Sequence, residues 1–381
     1  MPRYARWLER ALRERGHQVT LVRPQPFFAR LSRHPARIKY LGYLDKFLLF
    51  PLRLRRMSRD FDLVHVLDHS NSMYLKDVRN TPSVITCHDV LAIRSARGDF
   101  PNVSVGWSGR LLQRWILSGL RAARNVICVS EKTSVDLRAL AENDGQRQRT
   151  IYNALNWDFR PGLALPADLA ARVGVQTGER YILHVGNNNW YKNRVGLLRI
   201  FARLVKNPEY SDLRLILAGA PPSSEMEAVV AQKGLEERVV RAIRISNHEL
   251  QVLYCNAHAL LFPSHEEGFG WPILEAQASG CPVITTGRPP MTEVAGEAAI
   301  LIDSNDPVAA AATIADGLRR RDSLREAGFR NLARFDEQKI VDGYCAFYAD
   351  VLESEKGKTG ERTADRARED DSAAARTPTA R

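Results

Sequence analysis

Long apolar runs are missing from this 381-residue chain. No stretch approaches the ~20 residues that cross a bilayer as a helix, which argues against a membrane-spanning protein. Cysteine is scarce: Cys87, Cys128, Cys255, Cys281 and Cys345 are odd in number, widely spaced and mostly set in apolar runs. That pattern excludes a disulfide framework and zinc-ligand spacing, and it reads as buried thiols in a reducing, cytoplasmic compartment. No cluster of His, Asp and Glu has metal-ligand spacing either, so no metal is expected. The opening Met1-Pro2-Arg3-Tyr4 runs straight into an amphipathic helical pattern, leaving no place for a signal peptide. What is present is globular, 44% hydrophobic and 26% charged, with chain enough for two domains.

The net charge of +11 has an address. Residues 1–60 carry 15 Lys/Arg against 4 Asp/Glu, whereas residues 61–352 carry 33 of each and residues 353–381 carry 7 of each. The whole surplus therefore lies at the N-terminal end, where "FFARLSRHPARIKYLGYLDKFLLFPLRLRRM" interleaves it with Phe27, Phe28, Tyr40, Tyr43, Phe47 and Phe50. Cations mixed with aromatic and aliphatic anchors suit an anionic membrane surface, so the protein is expected as a peripheral one on the inner face of the plasma membrane. A solvated face is the plainer alternative. No nucleic-acid partner is expected, because no helix-turn-helix, RNA-recognition or zinc module accompanies the charge.

Periodicity divides the chain. Tyr4, Trp7, Leu8, Ala11 and Leu12 share one helical face that Gly16 closes, and Val19–Val22 reads as a strand. Short β-rich runs at 62–66, 83–86, 126–129 and 150–152 then alternate with helical runs at 107–123 and 132–141. Pro161, Gly162 and Pro166 mark a linker. The alternation restarts with strands at 181–185, 213–218, 238–243, 259–262 and 282–285, and helices at 194–205, 223–233, 248–256 and 272–278. Two doubly wound α/β units facing a cleft are expected, over 1–160 and 161–335. A last amphipathic helix, 336–352, packs back on the first unit, and 353–381, nearly devoid of apolar residues, is expected to be disordered.

One stretch carries most of the chemistry: "SHEEGFGWPILEAQASGCPVI", residues 264–284. Carboxylates are costly to bury without hydrogen-bond donors, and here Glu266 and Glu267 precede the turn Gly268-Phe269-Gly270 while Glu275 follows in an apolar helix. Pro272 suits a first helical turn, and a helix N-terminus beside a glycine turn is an anion site. Glu275 can accept from ribose hydroxyls and Glu267 from sugar hydroxyls. A capping role for Glu275 and a solvated Glu267 is the structural alternative.

These residues resemble the retaining glycosyltransferases of the family 4, group 1 type. The likeness runs through Pro263-Ser264, Glu267-Gly268-Phe269-Gly270, Pro272, Leu274-Glu275-Ala276, Gly280, Pro282-Val283, Glu293-Val294 and Gly296. "HVGNNNWYKN" resembles the family's phosphate loop, with Gly186 at its turn and Lys192 in the diphosphate role. "VITCHDV", "ICVSEKT" and "IYNALN" resemble segments of its N-terminal half.

The resemblance implies the GT-B fold, two Rossmann-like domains facing a cleft. It implies transfer of a sugar from a nucleotide-sugar donor, such as GDP-mannose or a UDP-sugar, to a hydroxyl of a glycan or lipid-linked acceptor with retention. The donor is a substrate, and no cofactor is implied. Glu267, His88 and Lys192 take the catalytic positions. Gly186, Lys192, Gly268, Phe269, Gly270 and Glu275 bind the donor. Ser130, Asn153 and Glu293 are further candidates, with structural roles as alternatives, and packing is the alternative for His88.

The chain departs from the pattern in three places. It lacks the strand and glycine-rich loop that usually precede the "RYARWLERAL" helix: either the start has been assigned too late, or the N-terminal sheet is without its first strand. Asn153-Ala154 replaces the usual "NG", and Asn156 follows where an acid is usual. Asn187 and Tyr191 stand where many relatives carry arginine. Two other functions remain compatible: a nucleotide-sugar epimerase on the same fold, and a catalytically silent membrane-surface or scaffold protein.

Overall fold

The structure, a computed structural model, describes residues 2–31, 34–141, 143, 145–176 and 178–374, with side chains up to 356 except those of residues 2, 35, 36 and 39. The N-terminal half opens with helix α1 (Pro2–Glu14) and continues through α2 (Pro35–Leu44), a π-helical turn (Asp45–Leu49) and α3 (Phe50–Met57). Strands β1 (Val64–Val66) and β2 (Ser83–Cys87) follow, then α4 (Leu91–Arg97), α5 (Trp107–Ala122), β3 (Asn125–Cys128), α6 (Glu131–Leu140) and β4 (Arg147–Thr150). The four strands form one parallel sheet in the order β1-β2-β3-β4.

After α7 (Ala167–Arg172) the second half strictly alternates. Its elements are β5 (Tyr181–Gly186), α8 (Arg194–Leu204), β6 (Arg214–Gly219), α9 (Ser224–Lys233), β7 (Val239–Ile243), α10 (Asn247–Asn256), β8 (Ala259–Phe262), α11 (Trp271–Ala278), β9 (Val283–Thr286), α12 (Met291–Ala295) and β10 (Ala299–Ile302). Helices α13 (Pro307–Gly317), α14 (Arg321–Asn331) and α15 (Glu337–Ala374) complete the chain. The six-stranded sheet is parallel throughout, in the order β10-β9-β8-β5-β6-β7. Its inner strands are mostly apolar and almost wholly buried, as helices on both faces require.

Three apolar cores order these layers. One lies under the outer face of the first sheet and gathers α3, α4 and α5. Another lies under the outer face of the second sheet and gathers α8, α9 and α13. The third is shared: Val84 and Ile127 of the first sheet, Leu183 and Phe262 of the second, and α1 and α15 all contribute to it. Tyr4, Trp7, Leu8, Ala11 and Leu12 are the buried face of α1, which lies against α15. Trp7 Nε1 donates to Glu337 at 3.0 Å, and Arg15 pairs with Asp342. Cys87, Cys128 and Cys281 are free and buried, while Cys255 and Cys345 are partly exposed.

Three expectations need correction. Val19–Val22 is not a strand. A strand needs a neighbour's backbone to pair with, and none of the described ladders includes these residues. The strand placed at 150–152 runs instead over Arg147–Thr150, paired with β3. Residues 353–374 are helical as the continuation of α15, not disordered. Their Ala, Glu, Lys and Arg are strong helix formers even without an apolar face; residues 375–381 lie outside the described part.

Candidate active site

The chain order along the second sheet reverses between β5 and β8. Loops leaving two such neighbours at their C-terminal ends turn to opposite faces and open a crevice. Here the loops are 187–193 and 263–270. They are zipped together: His265 N donates to the Tyr191 carbonyl at 2.7 Å, and Asn193 Nδ2 to the Pro263 carbonyl at 3.2 Å. Asn193, in the left-handed region with φ 51°, also caps α8 by accepting from Gly196 N.

This zipper brings Lys192 and Glu267 together, Nζ to Oε1 at 2.7 Å, with their side chains only 13% and 9% exposed. Lys192 Nζ lies 4.8 Å from the centre of the Phe262 ring. Burial pushes the Glu267 carboxyl up from its ordinary value, and the Lys192 charge opposes that rise. Gly186 ends β5 beside them: a Cβ there would stand 3.7 Å from Lys192 Cδ and 3.0 Å from His184 Nε2. The pair is therefore a cation and an acceptor held in low dielectric beside open backbone.

Glu275 lies one turn into α11, buried, accepting from the Tyr254 hydroxyl at 3.1 Å. Burial raises its pKa, and the tyrosine hydroxyl with the charges of Arg3 and Lys192 counteracts this. Arg3 belongs to α1, so the first half also faces this carboxylate.

The Gly268-Phe269-Gly270 turn is more occupied than the sequence suggests. A Cβ on Gly268 would fall 1.9 Å from the His88 carbonyl oxygen, so glycine is demanded by the approach of the first half. Ser130 Oγ and Thr133 Oγ1 lie 2.7 and 3.0 Å from the Gly268 carbonyl. The Phe269 ring is buried among Tyr152, Trp271 and Phe335, which leaves its backbone, not its side chain, for a ligand. Gly270 takes φ 106° and starts α11, with Pro272 in the first turn.

From the first half, His88 sits at the seam with its ring 4.9 Å from Tyr4 and 6.4 Å from Trp271. Its Nε2 is 2.9 Å from the Leu67 carbonyl, which must accept and so fixes the proton on Nε2. Nδ1 is then a buried acceptor without a protein partner. Burial pushes this imidazole down to about 4, so it is neutral at pH 7. Asn153 is also buried, with neither side-chain polar atom partnered. Buried polar atoms left without partners are rare unless water or a ligand meets them.

Ser130 and Glu293 hold the seam. Ser130 caps α6 and grips Gly268, while Glu293 accepts from the amides of Glu131 and Lys132 at 2.6 and 3.3 Å, a carboxylate on the N-terminus of α6. Beside them Glu266 faces Arg94 at 3.4 Å and Lys132 at 3.6 Å. Arg3, Tyr254, Thr133 and Arg94 went unnoticed in the sequence, as did Arg194, whose buried guanidinium reaches Asn188 and the Ala220 carbonyl while Nε and Nη2 stay unpaired. The apolar stretch around Tyr254 and the helical position of Arg94 were visible, but what faces them across the seam was not.

Known proteins resemble both halves of the chain. Residues 1–159 match the model of Glycosyltransferase Family 4, and residues 168–331 match that of Glycosyl transferases group 1. The O-antigen chain mannosyltransferase B of Escherichia coli is 29% identical over 296 residues, 75% of this chain and 74% of that protein. A D-inositol 3-phosphate glycosyltransferase of Corynebacterium diphtheriae is 26% identical over 260 residues, 65% of this chain but only 60% of its own length. Among solved structures, a sucrose-phosphate synthase from Thermosynechococcus elongatus superposes with a TM-score of 0.69 at 20% identity, covering 92% of this chain and 93% of that one. Anabaena HepE in complex with UDP and glucose superposes with a TM-score of 0.63 at 17% identity, covering 90% and 88%. A family 4 first half joined to a group 1 second half, on two parallel sheets that meet at a seam, makes this chain a glycosyltransferase of the GT-B fold.

Proposed function

We propose that the protein moves a hexosyl group from a nucleotide-sugar donor to a hydroxyl of a glycan or lipid-linked acceptor, with retention of configuration and without a metal ion. The observation that carries this reading is the buried Lys192–Glu267 pair at the reversal of the second sheet. One partner supplies positive charge for a diphosphate, the other an acceptor for sugar hydroxyls, and Gly186 sets bare backbone beside the Lys192 stem. Glu275 takes the ribose hydroxyls.

In the transfer, the bond from the anomeric carbon to the diphosphate oxygen breaks while that to the acceptor oxygen forms on the same face. The acceptor's proton passes to the departing phosphate oxygen. Lys192 and the N-terminus of α11 stabilise the charge that develops there, as preorganised electrostatics do without a cofactor. Neutral His88 offers Nδ1 to a sugar or acceptor hydroxyl. The relative named an O-antigen chain mannosyltransferase favours a cell-envelope glycan as the acceptor.

The test is direct. The protein is incubated with UDP-glucose, UDP-N-acetylglucosamine or GDP-mannose and candidate acceptors, with and without EDTA. The expected result is release of one nucleoside diphosphate per glycoside formed, insensitive to EDTA, with the product's anomeric configuration matching the donor's by NMR. An inverted product, or turnover abolished by EDTA, would overturn the corresponding part.

A further inference from the structure

Two segments distant in sequence form one outer face of the N-terminal half. Helix α5 buries Ile116, Leu117 and Leu120, but its first turns stand away from the body, with Trp107 80% and Leu111 60% exposed. Positions 107, 111 and 115 are four apart and share a side of the helix. At Trp115 that side meets the π-helical turn, with the Phe47 ring 5.2 Å away. Phe47 stacks on Tyr43 at 5.9 Å, and Tyr43 meets Tyr40 at 6.4 Å. The result is a continuous apolar row, Tyr40–Tyr43–Phe47–Trp115–Leu111–Trp107.

Cations border this row. Lys76 Nζ lies 5.5 Å from the centre of the Trp115 ring, and Lys46 Nζ 5.4 Å from that of Phe47. Beside the row, a groove between α4 and α5 is lined by Arg97, Arg110, Arg114 and Arg121; Asp99 pairs with Arg97 at 3.7 Å and leaves the other three unmatched by an acid of the lining. Helix α5 contains no Asp or Glu at all. Asp45, the one acid of residues 35–57, is buried and accepts from the amides of Phe27, Phe28 and Ala29. The surface differs from the one read in residues 27–57: Phe50 is in the core against Tyr74, and Arg55 is held by Asp77 at 3.0 Å. Trp107, Leu111 and Trp115 stand in for them.

We propose that this composite face seats the protein on an anionic phospholipid surface. The aromatic row enters the headgroup level, and the arginine groove takes lipid phosphates. Apolar anchors ringed by cations match such a surface on both counts, whereas a second copy would set one basic rim against another. The groove is one short helix from the cleft: Arg97, at the far end of α4, lines it, and Arg94 of the same helix faces Glu266 at the seam. A lipid-linked acceptor held on the membrane is thereby brought to the cleft. That last step rests on the proposed transfer; the docking itself does not.

The experiment is co-sedimentation of the full chain with vesicles of phosphatidylglycerol or of phosphatidylcholine over a salt series, with no nucleotide sugar present. Its failure is thus distinct from a failure to transfer sugar. The wild type is expected to bind the phosphatidylglycerol vesicles, less so as salt rises. Trp107→Ser with Leu111→Ser lowers that binding about tenfold. Arg110→Gln with Arg114→Gln lowers it about 25-fold, since each cation near the surface contributes roughly a fivefold factor. Arg199→Gln with Arg203→Gln, which removes the same charge from the exposed side of α8, leaves it unchanged. Equal loss in that control overturns the proposal in favour of net charge alone. So does absence of binding, binding indifferent to lipid charge, or a vesicle-free dimer that the tryptophan variant dissolves.

Discussion

The two sheets treat charge differently. The second, six strands wide, carries a buried ion pair and a buried carboxylate on loops zipped to each other. The first, four strands wide with an edge strand of three residues, brings an imidazole, two hydroxyls and an amide to the seam, and holds its cations Arg94 and Lys132 in a more exposed cluster with Asp136 and Glu266. Charges held out of water need a scaffold that cannot relax around them, and the wider, fully covered sheet supplies it. The narrower one closes the site.

Replacing the acceptor of that ion pair is the strongest test of this division. Glu267→Ala is expected to lower turnover about 100- to 1,000-fold, the usual loss when a preorganised polar group at a reacting centre is removed. Free nucleoside diphosphate should bind almost as before. Equal losses for diphosphate and intact donor in calorimetry would contradict the assignment to the sugar.

Closure is tested next. Gly268→Ala puts a methyl group where the His88 carbonyl lies 1.9 Å away, so the halves must part. A displacement of about 1 Å at a reacting centre can cost roughly a hundredfold in rate. Steady-state kinetics should show that order of loss with nucleoside diphosphate affinity intact. Unchanged kinetics would mean that the halves need not approach this closely.

Glu275→Ala removes the buried carboxylate of the second half. A charge-assisted hydrogen bond is worth about 1.5–3 kcal/mol, so nucleotide affinity should fall by roughly one to two decades. Full affinity would remove the ribose from this carboxylate.

The smallest effect crosses the comparison, because both halves bury imidazoles. Burial pushes His65 down to about 3, His88 to about 4 and His184 to about 3. Unfolded, each takes a proton near 6.5, whereas folded it resists until about 3 to 4. Their stability is thus complete above about pH 6.5 and is lost as pH falls through that window. The melting temperature should decline from pH 6.5 to 4, and less steeply in His184→Asn. Parallel declines in the two proteins would sink this account.

Periodic burial made the second half readable. Ala259–Phe262 is a strand as expected, and most of its neighbours end within one residue of their expected bounds, because strands covered on both faces are apolar from end to end. Lys192 and Glu267 were legible for a related reason: each lies at the end of such a strand, where local spacing determines position. The roles of Gly268 and Glu293 were not legible. One is glycine because of a carbonyl 180 residues earlier in the chain, and the other caps a helix of the opposite half. The exposed row on α5 escaped notice because its apolar residues read as core. No periodicity tells which apolar side of a helix will find a partner.

Helix α15 has one more consequence. The polypeptide passes from first half to second at 151–166 and returns at 332–336, and the two passages touch, with the Tyr152 and Phe335 rings 5.5 Å apart. Paired cords fixed side by side make a door hinge: the halves can swing about them but cannot twist freely. The returning cord also ends as the lid over Tyr4, Trp7 and Leu8. Cutting the chain at 336 would therefore free the door and strip its frame in one stroke, and the first half could be produced alone only with α15 supplied as a separate peptide.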